Sequence, residues 1–158
     1  MELLKNDSPH TKEFPFNIRV YGVCLQNNHI LLSDEIFKNN EMTKFPGGGL
    51  NYGEGTVECL KREFMEEFDL TCTVKEHLYT TDFFQPAFFY KKIQLISIYY
   101  YIDLDFKYKI PISTTPEYKK DTKQMLRWHP VNKLNHKTVT FPVDKKVVEL
   151  LINREGTY

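Results

Sequence analysis

Residues 48–70 read GGLNYGEGTVECLKREFMEEFDL and hold Glu54, Glu58, Glu63, Glu66 and Glu67, with Gly47-Gly48-Gly49 opening the segment. On a helix, at about 100° per residue, Glu63, Glu66 and Glu67 fan over roughly a third of the circumference. Like charges that close repel unless a cation joins them. A hard divalent ion is the natural partner, because Mg²⁺ takes oxygen ligands and keeps waters and substrate phosphates in its remaining positions. Arg62 stands beside the cluster as a fixed positive fork suited to orienting a carboxylate. A solvated helix face has a similar composition, and the glycines tip the balance. Three in a row suit a main chain that turns sharply and brings backbone N–H groups up to phosphate oxygens.

A helix must position these carboxylates, and the spacing predicts one over 57–68. Val57, Leu60, Phe64 and Phe68 recur at intervals of three and four and form an apolar stripe turned away from the acids. Thr56 is the expected N-cap, with Glu58 in the first turn where the helix dipole favours it. Before the glycines, 17–25 is strand-like, and Gln26-Asn27-Asn28 signals a hairpin turn into 29–32. Residues 33–44 are polar and read as loop. Strands are expected at 71–78, 92–104 and 124–128, separated by a long loop over 105–123 that holds Pro111 and Pro116. Pro142 and Asp144 open a last helix. The order implies an α/β domain with a mixed β-sheet flanked by helices.

Composition narrows the function classes. The chain has 158 residues, which suits one domain over 1–158, with 1–15 as a flexible arm. Lys+Arg and Asp+Glu both number 21, so no bulk basic field points to nucleic acid or a membrane surface. Cys24, Cys59 and Cys72 show neither zinc nor disulfide spacing and read as free, half-buried thiols. The N-terminus lacks an apolar signal core, and the run 93–102 falls short of a membrane span. A cytoplasmic location is the expectation. The aromatic share of 15% leaves rings over for a binding surface and permits a homodimer.

The pattern Gly48, five residues, Glu54, seven residues, Arg62-Glu63-Phe64, one residue, Glu66-Glu67, one residue, Asp69-Leu70 resembles the Nudix box. Only the late glycine departs, replaced by Asp69, which tolerates the left-handed conformation that ends a helix there. Phe45-Pro46-Gly47 and 126–130 also resemble the family's surroundings of the box.

The resemblance implies a Nudix-like α/β/α sandwich and a hydrolase that uses Mg²⁺ or Mn²⁺ and water to cleave a nucleoside diphosphate linked to another group. It implies Glu63, Glu66, Glu67 and Gly48 as the metal site. Glu66 or Glu67 serves as base, Glu66 being preferred, and Arg62 holds Glu63 or Glu66. Glu54 is a loop-to-helix tether or an outer metal contact, and Gly49 lies beside the diphosphate. Pro86, sixteen residues beyond Leu70, resembles the subgroup acting on ADP-ribose and nucleoside diphosphate sugars. Phe83, Phe84, Phe88 and Phe89 are candidates to stack on a base. Glu117 and Asp121 stand in the loop ahead of the Trp128 strand, where the family often places a further acid; solvent-facing charge is the other reading. His129 and His136 read as structural or surface groups. The partner is a small nucleotide substrate. Two other functions fit the box: a (deoxy)nucleoside triphosphate pyrophosphatase, or a nucleotide-sensing domain without turnover.

Overall fold

The computed structural model describes residues 15–120 and 124–155. In chain order these form β1 (Phe16–Val23), β2 (Leu25–Gln26), β3 (His29–Phe37), β4 (Asn40–Lys44), β5 (Gly47–Gly49), α1 (Thr56–Phe68), β6 (Thr71–Thr80), β7 (Gln94–Asp105), β8 (Met125–Pro130), a 3₁₀ turn (Val131–Lys133) and α2 (Pro142–Glu155). The expected arm over 1–15 lies outside the described residues apart from Pro15.

A four-stranded mixed sheet runs β5-β1-β7-β6. Strand β1 pairs in parallel with β7, from Phe16↔Gln94 to Val23↔Tyr101, and antiparallel with β5 through Arg19↔Gly49. A second sheet gathers β2, β4 and β8 around β3. Buried residues run consecutively along the central strands, from Val20 to Val23 in β1 and from Ile30 to Asp34 in β3, because both faces are covered there. On one face Val20, Leu31 and Ile102 meet Cys59, Leu60, Phe64 and Phe68 of α1. On the other, Tyr21, Val23, Ile30, Leu32 and Tyr99 meet Val147, Val148 and Leu151 of α2. This is the expected α/β/α arrangement.

Four local expectations change. Residues 33–44 are not loop: β3 continues to Phe37, turns at Lys38-Asn39 with both φ values positive (49° and 62°), and returns as β4. That conformation is the hairpin turn whose twist matches the strands, and Asn27-Asn28 repeats it (φ 49° and 59°). The polar residues that suggested loop are buried because they have partners. Asp34 accepts from Arg127 Nε at 2.6 Å and from Thr43 Oγ1 at 2.6 Å.

The cap of α1 is Gly55, not Thr56, whose hydroxyl instead meets the Tyr100 hydroxyl at 2.7 Å. Val57 is only partly buried, and Cys59 takes its place in the packed stripe. All three cysteines are fully buried rather than half-buried, and burial pushes their thiols up to about 12. Asp69 ends α1 as expected, at φ 52°, with its N–H donating to Met65 O at 3.1 Å.

The sharpest steric limit in the fold is at β5. A Cβ on Gly47 would lie 2.1 Å from Val20 O and 2.7 Å from Tyr21 Cα, at φ 152°. Gly47→Ala is expected to cost roughly 2–4 kcal/mol, from backbone strain plus displacement of β1. Urea unfolding of the variant beside the parent measures it, and an unchanged midpoint would contradict the packing described.

Candidate active site

The box carboxylates are organised by Arg62. Its Nε donates to Glu54 Oε2 at 2.9 Å and Nη2 donates to Glu54 Oε1 at 2.6 Å, a bidentate grip across the loop that precedes α1. Nη1 donates to Glu63 Oε1 at 2.9 Å and to Glu66 Oε2 at 3.2 Å, while Nη2 also reaches Gly49 O at 3.0 Å. Arg62 and the Asn51 N–H hold the Glu54 carboxyl down to about 2, so it stays ionised. Glu54 thereby ties the loop to α1.

The glutamates then divide. Glu63 and Glu67 line a cleft of about 380 Å³; Glu66 sits outside it at the rim, its side chain 57% exposed against 14% for Glu63. A Cβ on Gly48 would fall 2.1 Å from the Glu63 carboxyl carbon, so only glycine lets that carboxylate rest against the strand. Among the described residues no three His, Cys, Asp or Glu side chains converge closely enough to enclose a metal by themselves. The donors lining the cleft are all oxygen: Glu63, Glu67 and the glycine backbone. That chemistry suits a hard divalent cation which completes its shell with water and phosphate.

The rest of the cleft comes from strands remote in sequence. Arg19 and Tyr21 of β1, Glu35 of β3, Lys44 of β4 and Ser97 of β7 form its floor and flank, with Gly47, Gly48 and Gly49 beside them. Lys44 Nζ pairs with Glu35 Oε1 at 2.9 Å, both little exposed. Sequence reading did not select Arg19, Glu35 or Lys44. The only signal for Arg19 is a charge alternating with Tyr21 in a strand whose neighbours are apolar.

Aromatic rings close the far side. Phe88 and Phe89 both line the cleft; Phe89 packs edge-on to Phe37 at 4.9 Å, and Phe88 to Phe141 at 5.8 Å. Neither Phe83 nor Phe84 lines this cleft; Phe83 borders a separate groove beside α2. Pro86 bridges Gln94 at the head of β7 and shapes the loop without lining the cleft. Glu117 faces solvent, paired with Lys119 at 2.9 Å, and its backbone N–H donates to Asp34 Oδ2 at 3.2 Å. Asp121 lies outside the described residues. His129 is buried, with Arg127 Nη1 3.0 Å from its Nδ1, and burial lowers its pKa; His136 borders the groove beside α2.

Behind the cleft, Tyr99 Oη donates to the fully buried Asp144 at 2.7 Å. Burial pushes the Asp144 carboxyl up to about 7, with Tyr99, Lys44 and Arg19 pulling the other way. An acid raised in the fold keeps a proton that the unfolded chain gives up near pH 4, so its penalty grows from about pH 4 to about pH 7. Asp144→Asn, which keeps an acceptor for Tyr99, should therefore match the parent's stability near pH 4 and gain on it up to pH 7. The gain is bounded at about 4 kcal/mol and stays level above that pH. Melting curves of both proteins across pH 4–8 check this; a constant difference would mean that Asp144 is ionised throughout.

A sequence model of the NUDIX domain matches residues 15–151. No curated protein matches the chain in sequence. Among solved structures, the ORF135 protein of E. coli superposes with a TM-score of 0.69 at 17% identity, covering 92% of this chain and 96% of that one. The MutT protein from Methanosarcina mazei Go1 gives 0.65 at 18% identity, covering 92% and 99%. An ADP compounds hydrolase gives 0.54 at 16% identity, covering 88% and 72%. At such identities the likeness is one of fold.

Proposed function

The chain belongs to the NUDIX family of pyrophosphohydrolases, and from that membership we propose that it hydrolyses a nucleoside diphosphate linked to a second moiety, using a divalent cation. ADP-ribose or a nucleoside diphosphate sugar is the favoured substrate. One observation carries the proposal. The same cleft is lined by Glu63, Glu67 and three glycines and by the Phe88 and Phe89 rings. Its volume of about 380 Å³ falls within the range of small-ligand sites. The fold likeness to an ADP compounds hydrolase and the place of Pro86 accord with the substrate preference.

In this reading Glu63, Glu66, Glu67 and the Gly48 backbone oxygen would hold Mg²⁺ or Mn²⁺. The bound cation supplies charge neutralisation at the diphosphate and a lowered pKa for water. Between the two glutamates that the sequence leaves open as base, Glu67 lines the cleft and Glu66 does not, so Glu67 takes the proton from the attacking water. Arg62 orients Glu63 and keeps the box loop on α1. Gly49 leaves the strand edge bare for a phosphate. Phe88 and Phe89 offer ring faces and edges to a nucleobase, the role that sequence reading also considered for Phe84.

Incubation with Mg²⁺ and a pool of ADP-ribose, nucleoside diphosphate sugars and nucleoside triphosphates tests this directly. Water should convert ADP-ribose into AMP and ribose 5-phosphate. Glu67→Gln should lower kcat by about 10²–10⁴-fold without shifting the melting temperature appreciably. Pyrophosphate released from triphosphates, with ADP-ribose untouched, would identify a triphosphate pyrophosphatase instead. Tight nucleotide binding without any turnover would identify a sensing domain.

A further inference from the structure

The charges around the cleft do not balance evenly. Glu54, Glu63 and Glu66 share Arg62; Glu35 is taken by Lys44; Asp34, behind β4, is taken by Arg127. Arg19 lines the same cleft and forms no ion pair among the described residues. Its side chain makes one hydrogen bond, from Nε to Tyr21 Oη at 2.7 Å. That contact fixes one edge of the guanidinium, and neither Nη nitrogen has a hydrogen-bond partner among the described residues. Nη1 passes 3.8 Å from where a Cβ on Gly49 would stand, in keeping with the Arg19↔Gly49 register. So Nη1 lies beside the bare glycine strand, whose Gly48 also borders the Glu63 carboxylate.

The fixed edge is itself braced. Tyr21 stacks on Tyr99 with ring centroids 5.2 Å apart, and Tyr99 is anchored on Asp144. All three residues are buried. A guanidinium with one edge tied and the other free is pre-organised for a bidentate contact to an oxyanion. Its position beside the box glycines selects the oxyanion.

We propose that Arg19 binds a phosphate group of the substrate diphosphate, with the Tyr21 hydroxyl holding it in aim. The assignment rests on the reading of this cleft as a nucleoside diphosphate site. It makes Arg19 a specificity residue that favours ligands with a diphosphate over those that offer only a nucleoside.

Calorimetry with ADP, inorganic pyrophosphate and adenosine, all in magnesium buffer, tests it. Arg19→Gln should weaken ADP and pyrophosphate by roughly tenfold or more and leave adenosine within about twofold. Tyr21→Phe keeps the ring on Tyr99 and removes only the hydroxyl. It should weaken ADP in the same sense by a smaller factor. Arg19→Lys, charged but without the fork, should fall between the parent and Arg19→Gln. These milder variants decide the matter if Arg19→Gln melts below assay temperature. Equal loss for adenosine and ADP, unchanged ADP affinity, or a parent protein that binds neither ADP nor pyrophosphate would each overturn the proposal. A parent that binds ADP through Arg19 yet hydrolyses no diphosphate derivative would keep Arg19's role and remove the hydrolase reading.

Discussion

The site depends on one guanidinium. Carboxylates at Glu54, Glu63 and Glu66 could not crowd together in water without a fixed cation among them, and Arg62 reaches all three together with the Gly49 carbonyl. The contact ties three pieces of chain: the loop holding Glu54, the strand β5 and the helix α1. A lysine could supply the charge but not the geometry, because this grip uses Nε, Nη1 and Nη2 in different directions at once. The contrast with the exposed pairs Lys75–Asp103 and Lys107–Asp69 is one of connectivity. Those pairs each join two solvated side chains and contribute little. Arg62 sits partly buried between elements, so its loss would release the loop, the strand and two carboxylates together.

A second buried cation supports the other side of the cleft. Arg127 and Asp34 are almost wholly enclosed, and Arg127 Nη1 also donates to Ser113 O at 3.0 Å. Thr43 joins the group through Asp34 and lies 3.0 Å from the Tyr118 hydroxyl. The network pins β3, β4, β8 and the loop after β7 to one another. Its consequence for the cleft is at the next residue along β4, Lys44, which a well-held strand can keep beside Glu35. Buried polar groups of this kind carry a desolvation cost, and Arg127 Nη2 and His129 Nε2 have no partner among the described residues. The network therefore defines strand positions more than it adds stability.

The box was legible because everything in it is local. Residue spacing along one helix places Glu63 and Glu67 relative to the apolar stripe, and a short loop brings Glu54 to Arg62. Legibility failed where a residue's environment comes from far along the chain. Ser33, Asp34 and Glu35 look like loop, since nothing nearby announces that Arg127 and Gln124 will partner two of them. Asn27-Asn28 declared its turn while Lys38-Asn39 did not, because lysine is an unusual residue for a positive φ. The same limit hid Arg19 and Lys44, which reach the cleft only through the pairing of β1 with β5 and of β3 with β4. Among the aromatics, the sequence marked Phe83, Phe84, Phe88 and Phe89 alike, and which of them line the cleft turns on remote contacts with Phe37 and Phe141.

The glycine run shows why the local and the remote parts of the site meet where they do. Gly47–Gly49 is an edge strand of the mixed sheet, paired only with β1. Its lack of side chains is used on both faces. On the α1 face, Gly48 leaves room for the Glu63 carboxylate to lie against the backbone. On the α2 face, Arg19 reaches past Gly49 and lines the cleft. A carboxylate suited to a cation and a guanidinium suited to an anion are thus held on opposite sides of one bare strand. Side chains on that strand would screen each charge from a ligand at its edge. Without them a cation and a diphosphate can both approach the same short stretch of backbone.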